Sequence, residues 1–115
     1  MSNKFRRFSI SDTAALVNNT LLTVPTNTTA IVKTVIFANR SAGSRNATLS
    51  YAPVVNDATA TEVFLVPIEA VGANVSEDIL NSRSPVVLEG GDILRCQSSG
   101  SSCDVTANVL FIDRE

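Results

Sequence analysis

The sequence predicts an all-β fold, a single antiparallel β-sandwich or jelly-roll-like domain with about seven to nine strands. Val, Ile and Thr, whose branched Cβ restricts χ1 and suits a pleated strand, account for 32 of the 115 residues. Segments that combine Ala, Glu, Lys, Leu and Gln are scarce, so a helix has little to build on. Clusters of Ser, Thr, Asn, Gly and Pro interrupt the apolar runs at short intervals, as expected for many strands joined by turns.

The chain divides into a short basic N-terminal arm, residues 1–12, and one sandwich domain, residues 13–115. A length of 115 residues suffices for one core but not for two. The first ten residues contain three basic side chains and no acid, whereas the rest of the chain contains six basic and eleven acidic ones. With a net charge of −2, the chain has no general attraction for nucleic acid or for an anionic membrane.

The segment 28–39, TTAIVKTVIFAN, holds the longest run of strand-forming side chains, and the central strand is predicted within it at about 30–38, after a loop at 25–29. Strict alternation gives this strand two faces that are both mainly apolar. One face carries Ile31, Val35 and Phe37, and the other carries Val32, Ile36 and Ala38. We expect one face to meet the core of the domain and the other to meet a second layer, a loop or a neighbouring subunit.

The other strands follow from apolar runs bounded by turn residues. We predict that 30–38 and 47–52 form an antiparallel hairpin across the polar loop between them. Pro67 should end the strand that precedes it, since proline donates no ladder hydrogen bond. Further strands are placed at 14–24, 61–67, 74–80, 85–97 (with a turn or bulge at Gly90-Gly91) and 104–113. The predicted core draws on Val32 or Val35, Ile36, Leu49, Leu65, Ile93, Val109 and Phe111.

Catalytic and metal-binding chemistry find little support in the sequence. The chain has no histidine, which excludes histidine bases and triads, and its two cysteines alone make no zinc site. The GGD at 90–92 lacks the helix that a phosphate-binding loop needs. The neighbouring acids Glu77-Asp78 and Glu89 with Asp92 are interpreted as surface charge. We therefore expect a protein that is not an enzyme, with no catalytic residue, no metal and no cofactor.

Targeting signals are also missing from the sequence. After Arg7 no apolar segment is long enough for a signal peptide, and no run approaches the length of a membrane span. We expect synthesis in the cytosol and a soluble protein, unless it leaves the cell as part of an assembly.

The arm interleaves apolar and basic side chains. Its apolar residues could bury themselves in a partner groove while its cations pair with carboxylates at the rim. A frayed terminus is the alternative for an isolated monomer. Removal of residues 2–10 is expected to leave the sandwich folded but to weaken attachment. The predicted partner-binding residues are Lys4, Phe5, Arg6, Arg7, Phe8 and Ile10.

Several segments, taken in order, resemble a known family. A strand ending in VP is followed by TNTTA, by AIVKTVIFAN, by TLSY after a polar loop, and by VVLEGGDIL before a final strand. This order resembles the small β-sandwich virion proteins of tailed bacteriophages, which act as capsid decoration (cement) proteins or as tail and fibre accessory modules. The resemblance covers most of residues 20–113. It implies a non-enzymatic virion component that binds the major capsid protein or tail proteins, commonly as a symmetric homo-oligomer and often as a trimer.

Two functions of different classes follow from this resemblance. The first is a capsid decoration protein that clamps neighbouring subunits through its arm and a sheet face. The alternative is a tail or fibre accessory module that recognises the host, for example by binding a glycan. Exposed aromatic residues on loops would favour the alternative, whereas a copy number matching the capsid lattice would favour the decoration protein. Both place the protein in the virion after synthesis in the host cytoplasm.

The two cysteines are predicted to be neighbours. A two-residue turn at Ser99-Gly100 would place Cys96 opposite Cys103 in a hairpin. Opposed strand residues have Cα separations of about 4.5–5.5 Å, which a disulfide accepts. Cytosolic synthesis favours free thiols, whereas exposure in a released virion would allow oxidation, so the possible disulfide stays open.

Overall fold

The protein is a sandwich of two antiparallel β-sheets, as the sequence predicts. The computed structural model describes residues 3–11, 19–53, 63–80 and 85–113, and these ranges contain strands and turns but no helix. The strands are β1 (Asn3–Ile10), β2 (Asn19–Thr23), β3 (Thr28–Asn39), β4 (Arg45–Ala52), β5 (Val63–Val71), β6 (Val75–Asp78), β7 (Val86–Leu88), β8 (Ile93–Ser98) and β9 (Cys103–Asp113).

The chain crosses repeatedly between the two sheets, and among the described strands only β4–β5 and β6–β7 are consecutive strands in the same sheet. Sheet A has the order β1-β9-β3-β6, with β7 also paired to β3, and sheet B has the order β2-β8-β4-β5. Repeated crossing from one sheet to the other is the arrangement of a jelly roll. Within the described residues, no helix is long and apolar enough to cross a membrane.

The predicted hairpins join strands that lie in different sheets. The pairing of 30–38 with 47–52 is wrong, because β3 pairs with β6, β7 and β9, whereas β4 pairs with β5 and β8. The predicted hairpin between the cysteines is wrong for the same reason, since β8 belongs to sheet B and β9 to sheet A. Each of these strands has an apolar face to bury, and a connection that crosses the sandwich lets the two faces meet in one core.

A bulge in β3 decides which of its faces points inwards. Val32 pairs with Val109 and Thr34 pairs with Asn108, which leaves Lys33 as an extra residue on β3. One extra residue reverses the alternation beyond it. Val32 before the bulge and Val35 after it are therefore both fully buried.

Ile36 is consequently not a core residue, and its prediction as one is wrong. It lies on the outer face of sheet A with 38% of its surface exposed. Leu49 and Val109 lie in the core as predicted, and Val32 and Val35, predicted as alternatives, are both buried there. Leu65, Ile93 and Phe111 are only partly buried. The fully buried side chains that the prediction missed include Phe37, Leu88, Leu94, Val24, Val71 and Val105.

Pro67 does not end its strand, so that prediction is wrong. It lies inside β5, which is the edge strand of sheet B. The pairing register of β4 and β5 shifts at this point, since Ala47 pairs with Glu69 and Leu49 pairs with Val66. Proline is tolerated there because, at an irregularity in an edge strand, the backbone nitrogen does not have to donate a hydrogen bond to a neighbouring strand.

A buried amide fixes the end of β3. The Asn39 side chain is 2% exposed, and its Nδ2 donates hydrogen bonds to the carbonyl oxygens of Gly43, Val71 and Gly72 at 2.9–3.1 Å. Its Oδ1 accepts hydrogen bonds from the backbone N and the Oγ of Ser41, at 2.9 and 2.7 Å. One side chain thus satisfies loop groups that burial would otherwise leave unpaired.

Candidate functional site

The candidate site is an interaction surface built around β1, the first strand of the chain. Of the predicted arm, residues Asn3–Ile10 form this strand, which pairs with β9 from Asn3↔Ile112 to Ile10↔Val105. The basic segment is therefore held as the edge strand of sheet A. The N-terminal Met1 and Ser2, and residue 12, lie outside the described residues.

Two of the predicted partner-binding residues contact this chain's own sandwich. The rings of Phe8 and Phe111 pack with centroids 5.7 Å apart and planes inclined by 48°. Ile10 is partly buried against the core. Because these contacts support β9, we expect deletion of 2–10 to destabilise the fold, and single substitutions are the cleaner test of binding.

The other four predicted residues, Lys4, Phe5, Arg6 and Arg7, are exposed along β1. Two open cavities flank this strand. One, of about 330 Å³, is lined by Lys4, Arg6, Pro25, Thr26, Thr28, Phe111 and Asp113. The other, of about 240 Å³, is lined by Phe5, Arg6, Arg7, Lys33, Asn108 and Val109. The strand thus presents cations on both of its sides.

An apolar row crosses the outer face of sheet A, and sequence reasoning missed it. Phe5 pairs with Leu110, Leu110 pairs with Ile31, and Ile31 pairs with Val87. The two ends of this outer row are well exposed, Phe5 at 75% and Val87 at 56%. In the sequence, the apolar second face of β3 was the only indication of this row. The other members of the row come from segments that are distant in the chain.

Polar side chains flank the outer row. Asn108 lies two residues from Leu110 along β9, on the same face of the sheet. Its Nδ2 donates a hydrogen bond of 2.7 Å to Oγ1 of Thr34. Beyond it, Oγ of Ser9 and Oγ1 of Thr106 lie 3.4 Å apart. The outer face is therefore an apolar band with polar neighbours, which is the composition of many protein–protein contact surfaces.

One member of each predicted acidic pair accepts a hydrogen bond from the backbone. Asp92 is buried, and its Oδ2 accepts a hydrogen bond of 2.9 Å from the Glu89 backbone N, so its interpretation as a surface charge is wrong. Oδ1 of Asp78 accepts a hydrogen bond of 3.0 Å from the Leu80 backbone N. Among the residues that the structure describes, no group of three or more His, Cys, Asp or Glu side chains could hold a metal ion.

The cysteines are buried thiols that are not joined in a disulfide, and they lie on strands of opposite sheets. Burial raises the pKa of the Cys96 thiol to about 12, and the nearby Cys103 adds to this shift. Sγ of Cys103 lies 3.7 Å from the carbonyl oxygen of Ser101. A buried neutral thiol is a poor nucleophile, so these residues pack as small apolar side chains.

No protein-family model and no curated protein matches the sequence. Among solved structures, a chain of the T13 viral particle of infectious bursal disease virus (IBDV) aligns with a TM-score of 0.57 and 10% identity, covering 95% of this chain. This protein spans 30% of the length of that viral chain. A chain of the Bacillus endospore appendages, described as disulfide-linked pili, aligns with a TM-score of 0.52 and 11% identity over 99% of this chain and 90% of that one. At these identities the likeness shows a common fold.

Proposed function

We propose that this protein is a non-enzymatic structural component of a virion, a capsid decoration (cement) protein of a tailed bacteriophage. The observation that carries the proposal is the outer row from Phe5 to Val87, an exposed apolar band on one sheet face beside a basic edge strand. Such a band gains free energy when a neighbouring subunit covers it, and the cations of β1 then orient that neighbour.

The fold is compatible with this role. Jelly-roll sandwiches occur in viral capsid proteins and in lectins, and one fold hosts many functions. The two similar chains belong, by their descriptions, to a viral particle and to pili, which are both structural assemblies. Their likeness supports a structural role, and the resemblance of the sequence to decoration proteins supports the phage virion.

The affinity of a single contact of this kind is modest. Each apolar side chain that becomes fully buried contributes about 1.5–3 kcal/mol, part of which is lost to the entropy of association. A symmetric oligomer, with the trimer implied by the resemblance, would bind several sites at once and gain avidity. The other partners in this proposal are the major capsid protein or tail proteins.

The alternative, a host-recognition or glycan-binding module, is less well supported. Its expected signature is a set of exposed aromatic rings on loops. The chain has five Phe and one Tyr, and all of them lie in strands. Tyr51 in β4 is partly buried against the core, so it offers no open platform for a sugar ring.

The test uses phage particles that carry this protein and are then depleted of it. Imaging of the intact particles first locates the chain, and binding of added protein to the depleted particles is then measured. We expect Phe5→Ser and Val87→Ser each to weaken binding at least about fivefold, since each removes one exposed end of the outer row.

Phe64→Ser is the matched control for this test. Phe64 lies in β5 of sheet B and is 58% exposed, so its loss removes a similar apolar surface from the other side of the sandwich. The control should bind like the parent protein. Equal binding by all three variants, or a location away from the virion, would reject the proposal.

A further inference from the structure

The two edges of sheet A carry opposite charge. β1 contains Lys4, Arg6 and Arg7 and no acid, whereas β6 contains Glu77 and Asp78 and no base. Among the described residues, no strand pairs with the outer edge of either strand. Each edge therefore presents backbone N–H and C=O groups that another strand could pair with.

The directions of the strands suit an antiparallel joint between copies of this chain. β1 is antiparallel to β9 and β9 is antiparallel to β3, so β1 and β3 run the same way. β6 is antiparallel to β3 and therefore also to β1. A second copy displaced along the sheet, without being turned over, would place its β6 antiparallel to the first copy's β1. Antiparallel pairing is the more stable ladder.

The charges also lie on matching faces. Arg6 pairs with the buried Val109, and Glu77 pairs with the buried Phe37, so both project towards the sandwich side of the sheet. Arg7, opposite the exposed Asn108, projects to the outer side. In an unshifted continuous sheet Ile10, which pairs with Val105, would lie level with Glu77. A shift of the second copy by four residues along the strands keeps the faces matched and places Arg6 of one copy opposite Glu77 of the next.

We propose that β1 of one copy adds to β6 of the next copy, so that the protein assembles head to tail through a continuous sheet A. The inference rests on the proposed function and deepens it, because it names a second copy of this chain as the partner of the basic edge strand. The joint uses backbone hydrogen bonds for affinity and the Arg6–Glu77 pair for direction.

The other edge pairings are less favourable. Two β1 strands paired with each other would set Lys4, Arg6 and Arg7 beside the same residues of the partner, and like charges across a ladder are destabilising. The edge strand β5 contains Pro67, which cannot donate a hydrogen bond to an added strand. The acidic β6 is the edge that complements β1 in charge, direction and face.

A head-to-tail joint is heterologous, so its geometry decides the form of the assembly. It closes into a ring if the rotation between successive copies allows, and it otherwise extends into a filament. A ring of three copies would be the trimer that the sequence resemblance implies. Because β6 has only four residues, each joint is short and depends strongly on its charges.

The test measures self-association of the purified full chain by sedimentation velocity at low and high salt. We expect the parent protein to form oligomers that weaken as salt rises. Arg6→Glu and Glu77→Arg should each lower the association constant by about tenfold or more, because each places like charges across the joint. Glu89→Arg, which reverses an exposed charge in the turn after β7, outside both edge strands, is the control and should assemble like the parent.

Mixing the two reversed variants identifies the joint. Arg6→Glu and Glu77→Arg chains together should recover association, since each joint between the two unlike variants pairs opposite charges. The inference would be overturned if either variant alone assembled as strongly as the parent, or if the mixture stayed monomeric. It would also be overturned if the parent were monomeric at about 0.5 mM, well above a micromolar dissociation constant. These failures, together with particle binding that still depends on Phe5, would leave the proposed function standing.

Discussion

The two faces of β3 are built from similar side chains but have opposite surroundings. Val35 and Phe37 on the inner face are fully buried, whereas Ile36 between them is partly exposed on the outer face. Both faces are apolar in sequence, so hydrophobicity does not tell them apart. The bulge at Lys33 distinguishes the two faces, because it puts Val32 and Val35, three positions apart, on the same side of the sheet. The inner face stabilises the fold, and the apolar surplus on the outer face is available to a partner.

The strongest contrast between the faces should come from a buried charge. Val35→Asp places a carboxylate among fully buried apolar neighbours and should cost several kcal/mol, enough to unfold a domain of ordinary stability. Ile36→Asp, next to it on the outer face, loses a partly buried side chain and faces Asp78 across the ladder, so it should cost about 2 kcal/mol. Denaturant unfolding measures both, and equal losses would show that the face assignment of β3 is wrong.

Amide side chains give a second comparison between the faces. Asn39→Leu removes a buried side chain whose Nδ2 hydrogen-bonds to three carbonyl oxygens, and it should cost about 3 kcal/mol because those groups lose their partner. Asn108→Leu removes one exposed hydrogen bond to Thr34 and should change stability by about 0.5 kcal/mol. A smaller loss for Asn39 than for Asn108 in thermal or denaturant unfolding would contradict this account of the loop.

Removing the bulge should be tolerated. Deletion of Lys33 leaves Val32 opposite Val109 and Thr34 opposite Asn108, so the ladder becomes regular and the inner face is unchanged. We expect a cost of about 1–2 kcal/mol, arising from the altered twist. Deletion of Ile36 instead would turn Phe37 to the outer face and should unfold the protein. Circular dichroism melts distinguish the two, and a folded Ile36 deletion would mean that the register can slip.

The sequence predicts those parts of the fold that depend on local chemistry. Strand-forming residues and turn clusters give the all-β class, and the central strand predicted at about 30–38 lies within β3, Thr28–Asn39. The pairing partners of the strands cannot be predicted from local chemistry, because whether a strand lies in one sheet or the other depends on how the whole core packs. The hairpin predicted for 47–52 failed for this reason, since a polar loop fits a crossing between sheets as well as a tight turn.

The candidate site was predictable only in part. The basic and aromatic residues of β1 were found because they are adjacent in the chain. The outer row was not, because its members come from β1, β9, β3 and β7 and meet only through the registers of three ladders. The bulge at Lys33 had no local signal either. It is a property of β3 and β9 together, and strict alternation along β3 alone therefore placed Ile36 in the core.

The smallest expected effect on stability lies at the end of the outer row. Phe5 is 75% exposed, so Phe5→Ser should change the free energy of unfolding by about 0.5 kcal/mol or less. Phe8 lies on the opposite side of the same strand and packs on Phe111, so Phe8→Ser should cost about 2 kcal/mol. Denaturant unfolding of both variants tests whether β1 divides its aromatic residues between partner and core. Equal losses would mean that Phe5 also supports the fold, and the weakened particle binding expected of Phe5→Ser would then no longer report on a contact surface alone.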